Sequence, residues 1–158
     1  MVLNLTQELG TKLDGSLYSF PTPEALAGSS ESFVRTKIRA GYRSPYLIEF
    51  AQRVATGRVD PESWRTSTDS TEILFGQVRS VKGVGAYAAG NILRLLGRYD
   101  YLALDSWVRG WFYGRYHKGR TVSDRTIHRH YATLGKWRGL FLWLEATRDW
   151  FYRDGHAS

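Results

Sequence analysis

Two glycines one residue apart stand between two stretches of helical periodicity, and this feature constrains the fold most. The segment VKGVGAYAAGNIL covers 81–93. Gly83 and Gly85 indicate a tight turn, because glycine tolerates positive φ and lets the backbone approach a ligand closely. A helix rather than a strand precedes them, and no third glycine follows at the right spacing, so the segment is not a dinucleotide-binding βαβ motif. The pattern predicts helices over 69–81 and 86–96 joined by a hairpin at 82–85.

The rest of the chain is also helical in pattern, with proline, serine or acidic residues at the starts of several segments and glycines at several ends. The predicted helical segments are 2–13, 20–28, 29–38, 41–57, 60–65, 67–81, 87–96, 105–116, 122–135 and 136–153. No low-complexity tract, long linker or internal repeat interrupts them. We therefore expect an all-α fold and a single domain over 1–158, with the hairpin motif at about 69–96.

Charge and composition limit the partners. The 158 residues include 22 lysines and arginines against 15 acids, a net charge of +7. This excess favours a polyanion such as DNA, RNA or an anionic membrane surface. No run of 18 apolar residues predicts a membrane span, and the N-terminus lacks the pattern of a signal peptide. The absence of cysteine excludes disulfides, thiolate zinc sites, cysteine-ligated iron–sulfur clusters and a cysteine nucleophile.

Three features suit nucleic-acid chemistry, and each has a plain structural alternative. The helix after the hairpin has free N–H groups that suit a phosphate, although the glycines could simply cap a helix connection. Aromatic and basic residues alternate over 105–120 as in a nucleic-acid surface, or as in an amphipathic helix. Asp105 precedes a helix start, where it could serve as an ordinary N-cap or supply a carboxylate that stabilises a cationic transition state.

Taken in order along the chain, these segments resemble the helix–hairpin–helix DNA glycosylases, in particular the 3-methyladenine and 8-oxoguanine enzymes. The resemblance rests on KGVGAYAAGNIL and on LALDSWVR about twenty residues downstream. It is extended by FPTPEALAG and GYRSPYL upstream and by GKWRGLFLWLEATRDW near the end, so it covers essentially the whole chain. It implies double-stranded DNA with a damaged base as the partner and base-excision repair as the function.

The resemblance also implies site residues. Asp105 matches the catalytic aspartate. The residues expected at a DNA phosphate, through backbone N–H groups or the lysine charge, are Gly83, Gly85, Ala88 and Lys82. The backbone carbonyls expected to bind a monovalent cation, Na⁺ or K⁺, belong to Arg79, Val81 and Val84. The residues expected to wedge into the duplex are Tyr42 and Arg43. The residues expected to line the base pocket are Asn91, Leu142, Ala146 and Tyr87.

Tyr87 stands where family members that also cut the strand carry the lysine that forms a Schiff base, and Lys82 lies in the turn where the family usually has proline. A monofunctional enzyme that uses water is therefore expected, and such enzymes mostly remove alkylated purines. Two alternatives stay open. The chain could be a non-catalytic helix–hairpin–helix DNA-binding module, or a bifunctional 8-oxoguanine glycosylase/lyase that uses Lys82.

The chain also departs from the family at its start, because members carry a further N-terminal portion before the helix that resembles MVLNLTQELG. This chain is thus expected to be a fragment, a compact member or a compromised one. We further expect a monomer with no cofactor beyond the hairpin cation. The expected location is the cytoplasm, associated with the nucleoid, or the nucleus in a eukaryote.

Overall fold

A computed structural model describes residues 1–153, and its contacts group the chain into two compact units. The first unit comprises 1–67 with 81–83, and the second comprises 68–80 with the chain from 84 onward. Ten α-helices are present in the described part: α1 Val2–Leu9, α2 Pro23–Ala27, α3 Glu31–Thr36, α4 Ser44–Ala55, α5 Ser63–Thr66, α6 Thr71–Arg79, α7 Ala86–Leu95, α8 Ser106–His117, α9 Asp124–His130 and α10 Arg138–Arg153. Two 3-10 helices, Gly41–Arg43 and Ala132–Trp137, precede α4 and α10.

The first unit contains α1 to α5. Its apolar core is formed by Leu5 of α1 and by Val34, Ile38 and Ala40 in and after α3, and α4 packs against α2. Local chemistry sets the helix starts, since the hydroxyl of Thr22 accepts from the N–H of Ala25 at the start of α2.

The second unit contains α6 to α10. Its core brings together side chains from the loop before α8, from α8 itself, from α9 and the residue after it, and from α10. These core residues are Leu102, Val108, Phe112, Ile127, Tyr131 and Leu142. Glu145 of α10 accepts hydrogen bonds from the phenols of Tyr116 and Tyr131, the latter at 2.7 Å. The partly buried carboxylate is thereby satisfied, and the burial of Tyr131 with its bond to Glu145 raises the pKa of Tyr131.

The predicted helix–hairpin–helix is confirmed, because α6 and α7 flank the turn that contains 82–85. The all-α prediction is also confirmed, since the one β feature within residues 1–153 is an isolated bridge between Lys12 and Tyr18. The helix predicted over 122–135 is shorter, because α9 ends at His130 and a 3-10 helix follows, in which Gly135 has φ +52°. No helix in the described part is both long and apolar enough to cross a membrane. The single domain over 1–158 stays a prediction.

Candidate active site

Gly83 fixes the path of the hairpin within the first unit. Its φ is +86°, a conformation that favours glycine, and it lies against the side chain of Tyr46. A Cβ added at this position would be 2.6 Å from Cγ of Tyr46. The turn therefore requires glycine here for two independent reasons, the backbone conformation and the close approach of the ring.

The helix that follows the hairpin begins without a side-chain cap. Gly85 is the N-cap of α7 and offers no oxygen to the first-turn N–H groups, and no acidic residue lies in that turn. By contrast, five other helices have a capping side chain that accepts from the backbone: Thr22, Ser30, Ser70, Asp105 and Ser123. The N–H groups of the first turn of α7, which include that of Ala88, are therefore available to an anion.

Lys82 has a partner that the sequence did not suggest. Its ammonium lies 2.9 Å from Oε2 of Glu49, 33 positions earlier in the chain and in the same unit. The hydrogen bond to Glu49 raises the pKa of Lys82 above its usual value. The side chain remains 65% exposed, so solvent screens the pair. The contact favours the cationic form of Lys82, which suits a phosphate contact better than a role as a nucleophile.

The three residues predicted to bind a cation through their carbonyls lie at the end of α6 and in the turn. Arg79 is the last residue of α6, and Val81 and Val84 follow it. Carbonyls at a helix end lie outside the regular hydrogen-bond ladder and are hard oxygen ligands that suit Na⁺ or K⁺. The cation and its three carbonyl ligands stay a prediction.

Asp105 is the N-cap of α8, as both interpretations of the sequence require. Its Oδ1 accepts from the N–H of Val108 at 2.7 Å, and the residue is partly buried. One turn further on, Arg109 makes two hydrogen bonds of 2.8 Å to the two carboxylate oxygens of Asp124, the first residue of α9. These bonds lower the pKa of Asp124, and they occupy the guanidinium of Arg109. The start of α8 is thereby tied to the start of α9.

The predicted wedge residues lie in the first unit, on the 3-10 helix that precedes α4. The guanidinium of Arg43 stacks over the ring of Tyr42, 4.6 Å from its centroid, and Tyr42 is 67% exposed. The buried hydroxyl of Ser44 donates to the carbonyl of Gly41 at 2.6 Å and holds this turn in place. An exposed ring on a fixed turn is compatible with insertion into a base stack, and this role stays a prediction.

The predicted base-pocket residues lie on α7 and α10 and differ in exposure. Leu142 and Ala146 are buried, whereas Tyr87 is 39% exposed. Asn91 is engaged at both ends of its amide: Nδ2 donates to the carbonyl of Tyr87 at 3.0 Å, and Oδ1 accepts from Arg94 at 2.6 Å. Both ends of the Asn91 amide are thus already engaged within α7, which leaves one N–H and one lone pair for a further partner.

Leu142 lines a small cavity in the second unit. The cavity volume is about 10 Å³, which is close to the space that one water needs. The lining residues are Gly90, Arg94, Tyr101, Ala103, Val108, Gly139, Leu142 and Trp143. A purine does not fit into this space unless a side chain of the lining moves.

Three tryptophans that the sequence analysis did not single out lie beside these residues. Trp107 follows Asp105 by two positions and its ring centroid is 5.0 Å from that of Trp150. Trp150 also meets Trp143 edge to face, with centroids 5.9 Å apart. Trp107 and Trp150 remain 41% and 50% exposed. The seven-residue spacing of Trp143 and Trp150 was the available signal, because residues seven apart share one helix face.

Comparisons with known proteins place the fold. No protein-family model matches the chain, and no curated protein matches it. Among solved structures, the protein MBOgg1 in complex with a low-affinity DNA ligand is 22% identical, with a TM-score of 0.78 over 93% of this chain. The Clostridium acetobutylicum 8-oxoguanine glycosylase/lyase in complex with double-stranded DNA is 20% identical, with a TM-score of 0.75 over 94%. The 3-methyladenine DNA glycosylase from Archaeoglobus fulgidus is 22% identical, with a TM-score of 0.70 over 95%.

The chain spans about half the length of these structures, covering 52% of each. At this level of sequence identity, the structural similarity shows the fold alone. The sequence and the comparisons agree on it: this chain has the fold of the helix–hairpin–helix DNA glycosylases.

Proposed function

We propose that this protein is a DNA N-glycosylase of base-excision repair, which hydrolyses the glycosidic bond of a damaged purine flipped out of duplex DNA. The observation that carries the proposal is Asp105 at the N-terminus of α8, in a fold shared with solved DNA glycosylases. The uncapped start of α7 adds a phosphate site of the kind that such an enzyme needs.

Binding begins at the DNA backbone. The N–H groups at the start of α7 hold one phosphate, and the Lys82 ammonium adds positive charge in the turn. Tyr42 and Arg43 insert into the stack and stabilise a bent duplex from which one nucleotide is extruded. In this proposal the partner is double-stranded DNA with a damaged base, bound by a monomer in the cytoplasm or nucleus, and a monovalent cation in the turn would stiffen the hairpin.

Asp105 supplies the catalytic charge. Loss of the base leaves an oxocarbenium-like sugar, which a nearby carboxylate stabilises. The N-cap bond engages Oδ1, so the carboxylate is held by the first turn of α8 while Oδ2 serves the sugar and orients a water. The water adds to the anomeric carbon and loses a proton, and the abasic strand stays intact.

Strand cleavage is not part of the proposal. A lyase needs a neutral amine to form an imine with the sugar, and Tyr87 offers a phenol at that position. Lys82 is the lysine nearest to Tyr87 in sequence, and its bond to Glu49 favours the protonated form of the amine. These two side chains support a monofunctional enzyme.

Alkylated purines are the proposed substrates. A purine nucleotide methylated on N3 or N7 carries a positive charge on the base, so the base leaves with little acid assistance and is attracted to aromatic faces. Trp107 and Trp150 are exposed rings that contact each other and offer such aromatic faces. Trp107 lies two residues after Asp105, and Trp150 lies on α10.

The test is a panel of duplexes that contain one methylated, deaminated or oxidised base, with abasic sites revealed by hot alkali. We expect release of the methylated purine and no strand break before alkali. Asp105→Asn should abolish excision while leaving duplex binding nearly unchanged, since asparagine is also a good N-cap. Asp60→Asn, at an exposed carboxylate before α5, is the matched control.

The two alternatives give different results. Duplex binding without excision of any base would favour the non-catalytic module, with Asp105 as a cap alone. Nicking before alkali would favour the lyase.

A further inference from the structure

We propose that Arg94 occupies the face of Trp143 in the DNA-free protein and competes with a flipped base, which enters only by displacing the guanidinium. The inference rests on the proposed function, and it adds a residue that sets the threshold of affinity for base entry. Its test uses small aromatic probes, so it can fail or succeed independently of excision.

The geometry places the guanidinium over the face of the ring. The guanidinium carbon of Arg94 lies 3.7 Å from the ring centroid of Trp143. Asn91 fixes this position by accepting from Arg94 at 2.6 Å. Arg94 lies three residues after Asn91 and seven after Tyr87, so the three side chains share one face of α7. Arg94 thus stands beside the residues predicted to line the base pocket.

The positive charge of Arg94 is only partly compensated by its contacts. Burial lowers the pKa of its guanidinium, and within residues 1–153 its close contacts are an amide and a ring, not a carboxylate. A partly buried cation without an anionic partner costs free energy relative to a neutral side chain. The contact with Trp143 offsets part of this cost. Such a contact is one that a better ligand for the ring can displace.

Arg94 is also the part of the lining that can move. A Cβ on Gly90 would lie 2.8 Å from Ala103 and from the ring of Tyr101, and one on Gly139 would lie 2.0 Å from the carbonyl oxygen of Tyr101. This side of the cavity is therefore closed by backbone and tightly packed groups. The long side chain of Arg94 can leave by rotating about its own bonds. The cavity of about 10 Å³ opens when it does.

This arrangement sets a threshold for every base. A neutral purine that displaces Arg94 gains stacking but forfeits the attraction between the cation and the ring. A cationic purine replaces one planar cation by another and keeps that attraction. Displacing Arg94 costs the same for every base, so the threshold excludes bases that bind Trp143 weakly, while the ring itself favours a cationic purine over a neutral one.

The experiment measures access to the ring without DNA. N-methylquinolinium, a bicyclic cation, and quinoline, its neutral counterpart, are titrated into the protein at pH 7.5 while tryptophan fluorescence is followed. We expect Arg94→Met to bind both probes roughly three- to thirtyfold more tightly than the parent chain, the factor that corresponds to losing a cation–π competitor. Arg94→Lys should gain less, because it keeps a cation. Arg125→Gln, at an exposed arginine of α9, should change neither affinity.

A second substitution ties the gain to the ring. Adding Trp143→Leu to Arg94→Met should abolish the gain, and Arg94→Gln provides a second neutral variant if the methionine variant does not fold, as judged by circular dichroism. Unchanged probe affinity in the folded neutral variants would overturn the proposal. Weaker binding would overturn it as well, because it would show that Arg94 contacts the ligand as a partner. If the probes behave as expected but no base is excised from the duplex panel, the proposed function fails while the role of Arg94 as a competitor stands.

Discussion

Lys82 shows how a single contact changes the chemistry expected of a side chain. The 2.9 Å bond to Glu49 raises its pKa, so the protonated form extends to higher pH than for a free lysine. Since an imine requires the neutral amine, we expect no adduct when the protein is mixed with a damaged duplex and borohydride.

A trapped adduct in the parent chain that disappears in Lys82→Gln would contradict this prediction and establish the lyase. Lys12→Gln, at an exposed lysine in the loop after α1, is the control for loss of one positive charge. Excision under conditions of excess enzyme separates a loss of DNA affinity from a loss of chemistry.

Residue roles could be predicted from sequence where they depend on local structure. Asp105 is the N-cap that its position before SWVR indicates, and Gly83 has the positive φ that the turn requires. The bond from Lys82 to Glu49 and the stack of Arg94 on Trp143 join residues 33 and 49 positions apart. No local pattern encodes such pairs, because they arise from the packing of whole helices.

At the scale of the helix, replacing a glycine by alanine is expected to have opposite effects on stability in α8 and in α10. Gly139 donates to the carbonyl of Tyr99 at 2.6 Å, and a Cβ there would lie 2.0 Å from the carbonyl oxygen of Tyr101. Gly139→Ala should therefore lower the free energy of unfolding by about 2 kcal/mol or more. Gly114 in α8 has nothing within 4 Å of such a Cβ, so Gly114→Ala should raise it by about 0.5–1 kcal/mol.

Urea unfolding followed by circular dichroism measures both changes. Helix propensity alone predicts that each alanine stabilises, so the opposite sign at Gly139 isolates the close approach of α10 to the segment before α8. Stabilisation by both substitutions would show that this segment moves easily to accommodate a methyl group at Gly139. The cavity lining would then not be rigid on this side.

The helices themselves were the most predictable part of the fold, because their starts carry local signals. Ser70 caps α6 and Ser123 caps α9, each by accepting from a backbone N–H three residues later. The end of α9 was missed, because the pattern 122–135 continues past Tyr131 without a glycine until Gly135. There the chain bends through a 3-10 helix, since the backbone must turn before α10 can begin.

At the scale of the whole molecule, net charge and the fold were predictable, whereas the state of the base pocket was not. A net charge of +7 and the hairpin motif follow directly from the sequence. The closed cavity does not, because its size depends on where Arg94 rests between α7 and α10. Side-chain rotamers at such a contact are decided by tertiary packing.

The same charge leads to a prediction for DNA affinity. If roughly five phosphates are neutralised by basic side chains, the logarithm of the association constant should fall with the logarithm of salt concentration at a slope of about −4 to −5. Between roughly 50 and 200 mM salt the affinity should then drop about 500-fold. Fluorescence anisotropy with a labelled duplex gives the slope, and an undamaged duplex should share it, because phosphate contacts carry no information about the base. An affinity that does not change with salt concentration would mean that the basic residues do not contact the DNA. The proposed phosphate site at the start of α7 could then not be the main source of binding.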